Sequence, residues 1–150
     1  MRTMAASLLD LADQLVEEGA RRAALRRRAV STAYYAVFHS LAKSCASILL
    51  PSIDRDSEAY ERVYRALDHG SIKAMTKGGS DNLQKIGRLV VQLQIERHRA
   101  DYLPPKKGLF LDDAKLLVDQ ARRAVTEIES FGEEDRIALA TSLLFKSRPQ

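Results

Sequence analysis

Glycine and proline are scarce, seven and four in 150 residues, and aromatic residues make up only 6%. Sandwiches and other strand-and-turn architectures need frequent turn residues and aromatic-rich strands, so these shortages exclude them. Long apolar runs are missing as well. The longest stretch without a charge, Ala29 to Ala42, contains Ser31, Thr32, Tyr34, Tyr35, His39 and Ser40. It is too short and too polar to cross a membrane, and no membrane partner is expected. A single cysteine, Cys45, rules out an internal disulfide. The N-terminus reaches Asp10 before a signal-type apolar core develops, so no export is expected. A lone thiol without such a signal points to a reducing, cytoplasmic setting.

The remaining composition is that of one soluble domain spanning residues 1–150, with 45% hydrophobic and 29% charged residues. Lysine and arginine number 24 against 20 acids, a formal charge of +4. The basic excess is densest at Arg21, Arg22, Arg26, Arg27 and Arg28. Arginine presents a planar fork that matches phosphate oxygens, which admits nucleic acid as a partner. A solvated helix start accounts for the same run, and the net charge is too small to decide.

Punctuation and periodicity predict five to six helices. The first runs from about Ala5 to Glu18 with Leu8, Leu11, Ala12 and Leu15 on its core side and Gly19 as its stop. The second runs from about Ala20 to Leu49, before Pro51, with the small residues Ala29, Ala33, Ala36 and Ser40 on one face. The third starts near Ser57 and stops at Gly70 or continues after a kink. Ser80 caps a fourth, which carries Leu83, Ile86, Val90 and Leu93 at helical spacing; Val91 to Ile95 also alternates as a strand would. Pro104 to Gly108 is a loop. A fifth helix runs from about Asp112 to Ser130 with Ala114, Leu117, Val118, Ala121, Val125 and Ile128. Ser130 to Glu133 reads as a capping box that opens a last helix over about 132–145, with Ile137, Leu139, Ala140, Leu143 and Leu144. The tail from Lys146 should fray. The expected fold is an all-α, up-and-down antiparallel helical bundle, with a core over about 5–130.

The informative residues are polar ones that stand on apolar stripes. Four residues beyond Leu93 is Arg97, and four beyond that is Asp101, a spacing at which the two can pair. The pair either locks the bundle or holds an arginine ready for a phosphate. Helix two carries a second mixed stripe of Arg28, Thr32, Tyr35 and His39. Its Tyr35 and His39 either cap the core with satisfied polar tips or face a ligand. His69 stands at a helix end, where the dipole favours a cationic imidazole. His98 points about 100° away from Arg97 around the helix, toward the surface. The sequence contains no zinc signature, no Gly-rich phosphate loop and no nucleophile elbow. No metal or cofactor is demanded; Arg, His and Tyr are the available chemical tools.

Three segments resemble the HEPN domains. Ser31-Thr32-Ala33-Tyr34-Tyr35-Ala36-Val37-Phe38-His39 is similar to that family's Ala-Tyr-Tyr-Ala helix. His69-Gly70-Ser71-Ile72-Lys73 stands where many members place a histidine. Arg97-His98-Arg99-Ala100-Asp101-Tyr102 looks like the family's Arg-x-x-Ala-Asp-Tyr element. The resemblance implies a helical bundle that forms a homodimer. It also implies a metal-independent ribonuclease, often a toxin paired with a minimal nucleotidyltransferase antitoxin or a phage-defence component. In such enzymes an arginine is followed, after four to six residues, by a histidine. Here Tyr102 stands after four intervening residues beyond Arg97, where the histidine would be; Arg62 and His69 satisfy the spacing, but in the third helix.

Cleavage would use the RNA 2′-hydroxyl as nucleophile, Arg97 to balance the phosphorane charge, and Tyr102, His98 or His69 for proton transfer. The other expectation is a helical dimer that binds a nucleotidyltransferase, a nucleotide or RNA without cutting it, presenting Tyr34, Tyr35 and the Arg97–Asp101 face. A third is a dimer without a ligand, in which these residues serve the core and the interface.

Overall fold

A computed structural model describes residues 2–104 and 111–145. Of the expected loop Pro104 to Gly108, residues 105–108 lie outside them, as does the expected fraying of Lys146 to Gln150. The described chain is all-α: α1 Met4–Glu18, α2 Ala23–Leu49, α3 Glu58–Ala66, α4 Asp81–Tyr102, α5 Leu111–Ser130 and α6 Glu133–Leu144, with 3-10 segments at Gly19–Arg21 and His69–Thr76. The Val91 to Ile95 alternation is helical, as the longer window favours. None of these helices is long and apolar enough to cross a membrane.

The chain divides into two compact units, Met1–His39 with Leu89–Thr126 and Ser40–Arg88 with Glu127–Gln150. Helices α2, α4 and α5 contribute to both.

In the first unit α1 starts at Thr3, whose hydroxyl accepts the Ala6 N–H at 3.1 Å. It ends at Gly19, which then opens the short 3-10 turn, so α2 begins at Ala23 rather than Ala20. The buried stripe of α1 is Ala5, Leu9, Ala12 and Val16; Leu11 is exposed and Leu8 and Leu15 are half-buried. Two apolar sets share this helix at the same spacing. The core takes the one with the smaller residues, which permits closer helix approach. Ala29, Ala33 and Ala36 of α2 and Ala114, Ala121 and Ala124 of α5 are buried for the same reason. Arg27 meets residues 100–104, Ser31 meets Asp101 and Tyr34 meets Gln94, so α2 and α4 run antiparallel here.

In the second unit α3 ends at Ala66 because Leu67 turns extended and inserts into the core. Asp68 then caps the 3-10 segment by accepting the Ser71 N–H at 2.9 Å. Ser80 does double duty: it accepts the Leu83 N–H at 3.1 Å and donates to Asp135 at 2.9 Å, tying the start of α4 to α6. The expected capping box before α6 does not form. Gly132 is the N-cap, and the Ser130 hydroxyl donates back to the Glu127 carbonyl at 2.9 Å. Ile137 is exposed and Leu144 half-buried; the α6 core residues are Leu139, Ala140 and Leu143.

Cys45 is fully buried in this unit, and burial pushes its thiol up to about 12. Only the thiolate reacts at useful rates. The native protein is therefore expected to resist a disulfide reagent at pH ~8 and to take up one equivalent once unfolded in urea. Rapid labelling of the folded chain, followed by absorbance, would contradict this burial.

Candidate functional site

The candidate site lies in the first unit, where the fourth-helix stripe ends. Arg97 and Asp101 pair as the i,i+4 spacing predicts, with Nη1 to Oδ2 at 3.4 Å. Their side chains are only 14% and 26% exposed. The Ser31 hydroxyl donates to the same Asp101 oxygen at 3.5 Å, so α2 helps to aim the carboxylate. The guanidinium carbon lies 5.2 Å from the Tyr34 ring centre and 5.9 Å from that of Tyr35. The two rings meet edge to face with centres 5.6 Å apart. Aromatic faces stabilise a guanidinium by roughly 0.5–2 kcal/mol, more as water is excluded. Arg97 Nε is buried and has no hydrogen-bond partner among the described residues. An unmet N–H on a charged group costs free energy, and an incoming anion can meet it.

Tyr34 is buried while Tyr35 forms the exposed edge. Tyr34 accepts a hydrogen bond from Gln94 at 3.4 Å. Burial holds its phenol well above the usual tyrosine range, and the Arg97 charge only partly offsets that rise. Tyr34 thus serves as a neutral wall, buried where the expectation had it exposed to a partner; of the two tyrosines only Tyr35 reaches the surface.

The basic run resolves into distinct tasks. Arg27 donates to the carbonyls of Ala100 at 3.0 Å, Leu103 at 2.6 Å and Pro104 at 3.0 Å. These are carbonyls at the end of α4, where a cation is favoured by the helix dipole. The clamp fixes the turn that carries Asp101. Arg26 donates to the Gly19 carbonyl at 2.7 Å. Arg21, Arg22 and Arg28 are exposed.

His98 and Tyr102 occupy the adjoining face of α4, both exposed, with ring centres 4.7 Å apart. Tyr102 is 68% exposed. His69 belongs to the second unit. It opens a 3-10 segment instead of closing α3, so the dipole argument for a cationic imidazole there reverses. Arg62, its spacing partner, pairs with Glu58 on the surface.

His39 is half-buried on α2, and burial lowers its pKa from the ordinary value. The native state therefore disfavours the imidazolium. The stability this contributes is intact above about pH 6.5 and is lost as pH falls through the depressed value. Urea midpoints are expected to decline as pH falls below about 6.5, and less steeply in His39→Gln. Identical profiles for the two proteins would show that His39 is no source of the decline.

Ser31, Arg27 and Gln94 complete the site; the sequence offered Arg27 only as part of the basic run and gave Ser31 and Gln94 no role. No protein-family model matches the chain, and comparison with curated proteins and with solved structures finds no match either.

Proposed function

We propose that the chain is a HEPN-like RNA-binding domain in which Arg97 receives a backbone phosphate and Tyr35 the adjoining base, without cutting the strand. One observation carries the reading: the Arg97 guanidinium is walled by two tyrosines, held by a carboxylate, and keeps a buried N–H with no partner among the described residues. A rigid arginine beside an exposed ring suits single-stranded nucleic acid, where phosphate contact and base stacking act together. Arg28 supplies exposed positive charge on α2, the helix that carries Tyr35, and contributes to steering.

A second reading, metal-independent RNA cleavage by a homodimer, is favoured by the His98–Tyr102 ring pair one turn from Arg97. In it the 2′-hydroxyl loses its proton and attacks phosphorus, and the departing 5′-oxygen takes up a proton. Tyr102 suits the acid role, because its phenol O–H is an exposed hydrogen-bond donor. A toxin role with a nucleotidyltransferase antitoxin belongs to this reading.

Labelled single-stranded RNA, incubated with the protein and a chelator, separates the two. Saturable binding with intact RNA after long incubation supports the first reading. Cleavage that survives the chelator and is lost in Tyr102→Phe supports the second. Neither binding nor cleavage would remove both.

A further inference from the structure

Within the second unit a cleft of about 710 Å³ opens between the 3-10 segment His69–Thr76 and α6. Small-molecule sites have this size. Lys73 and Lys77 line one wall. Lys73 lies in the 3-10 segment and Lys77 just past its end, and both line the same cleft, so two four-carbon side chains can reach one anion. Both are exposed, and neither forms an ion pair with another described residue. The lining carboxylate, Asp68, is already engaged: its Oδ1 accepts the Ser71 N–H at 2.9 Å and the Ser71 hydroxyl at 3.1 Å. The other wall carries the Ser142 hydroxyl and the ring of Phe145, which is 60% exposed.

Two ammonium groups that form no ion pair, in a concavity whose one lining carboxylate is held by Ser71, and an uncovered ring have a complementary chemistry. An anion satisfies the first and a planar apolar body the second. Two cations match a dianionic phosphate better than a single carboxylate. We infer that the cleft binds a small organic phosphate monoester, its phosphate between Lys73 and Lys77 and its planar body against Phe145. The Ser142 hydroxyl donates to a phosphate oxygen. This site is independent of the RNA reading, because none of its residues belongs to the Arg97 cluster.

Phenyl phosphate is the probe, with inorganic phosphate and phenol as its two halves. Amide NMR shifts of the full chain are followed at about 0.15 M salt, where loose charge attraction is screened. The expected result is saturable movement at Ser71, Lys77, Ser142 and Phe145, with phenyl phosphate bound about tenfold tighter than either half. Lys73→Gln with Lys77→Gln should abolish saturation. Phe145→Ser should reduce phenyl phosphate to the affinity of inorganic phosphate. All three side chains are exposed, so the variants are expected to keep the wild-type spectrum elsewhere. Shifts scattered outside the cleft, equal affinity for ester and inorganic phosphate, or saturation surviving both lysine changes would each overturn the assignment.

Discussion

Gly87→Ala is expected to lower the unfolding free energy by about 2 kcal/mol, against the ordinary preference of helices for alanine. Gly87 sits in α4 within the second unit, where it faces Met75 of the 3-10 segment. A Cβ there would lie 2.8 Å from both the carbonyl carbon and Cβ of Met75, and 2.9 Å from its carbonyl oxygen. Two of these atoms are backbone, so no rotamer change relieves the clash. The 3-10 segment must move as a piece, although Ile72 and Met75 are fully buried in the core beneath it. Helix propensity returns about 1 kcal/mol to alanine, whereas overpacking a tight contact costs up to about 3, and the second effect wins. Urea unfolding checks this: the midpoint falls while the slope stays constant. Gly132→Ser is the contrasting case. A Cβ at Gly132 meets nothing within 4 Å, and the extended N-cap backbone suits a serine. It should gain a few tenths of a kcal/mol. An unchanged or higher midpoint for Gly87→Ala would refute the close approach of α4 to the 3-10 segment.

The parts of the fold that were legible in the sequence are those written in local spacing. The α4 stripe of Leu83, Ile86, Val90 and Leu93 is buried as predicted, and its continuation gives the Arg97–Asp101 pair directly. The Ser57 and Ser80 caps are local as well. In α1 local spacing misleads, because two apolar sets have the same period and only the neighbouring helices decide which is buried. The 3-10 segment escapes detection because its period of three is short-lived and His69-Gly70 resembles a helix end. Ser130 has the capping-box sequence, yet its hydroxyl finds the carbonyl of Glu127 first, the usual competition for serine near backbone. The Arg27 clamp and the Ser31–Asp101 bond join residues 70 or more positions apart. No local pattern marks such contacts, so five arginines in one short run looked alike although two of them hold backbone carbonyls.

Arg97→Met should weaken single-stranded RNA binding by about tenfold and reduce the salt slope by about 0.7, the value for one phosphate contact. Methionine keeps the apolar stem between the tyrosines and removes only the charge and the fork. Arg97→Lys should recover little, since a point-charge ammonium lacks the planar fork that offers Nε together with Nη. Arg28→Gln serves as the comparison: an exposed cation contributes to attraction, so its loss should slow association more than it speeds dissociation. A structural role alone predicts otherwise. If Arg97 only locks α4 against α2, Arg97→Met changes the urea midpoint and leaves RNA affinity intact at temperatures where the protein is folded. Removing one partner of a half-buried pair strands the other, so Arg97→Met leaves Asp101 without its cation and should lower the urea midpoint under either role. Lost affinity and a reduced salt slope in an Arg97→Met protein that is still folded are therefore the signature of an arginine kept for its ligand. Fluorescence anisotropy across a salt series, with circular dichroism on the same samples, reads both. Unchanged affinity and unchanged salt slope in a folded Arg97→Met protein would end the phosphate reading.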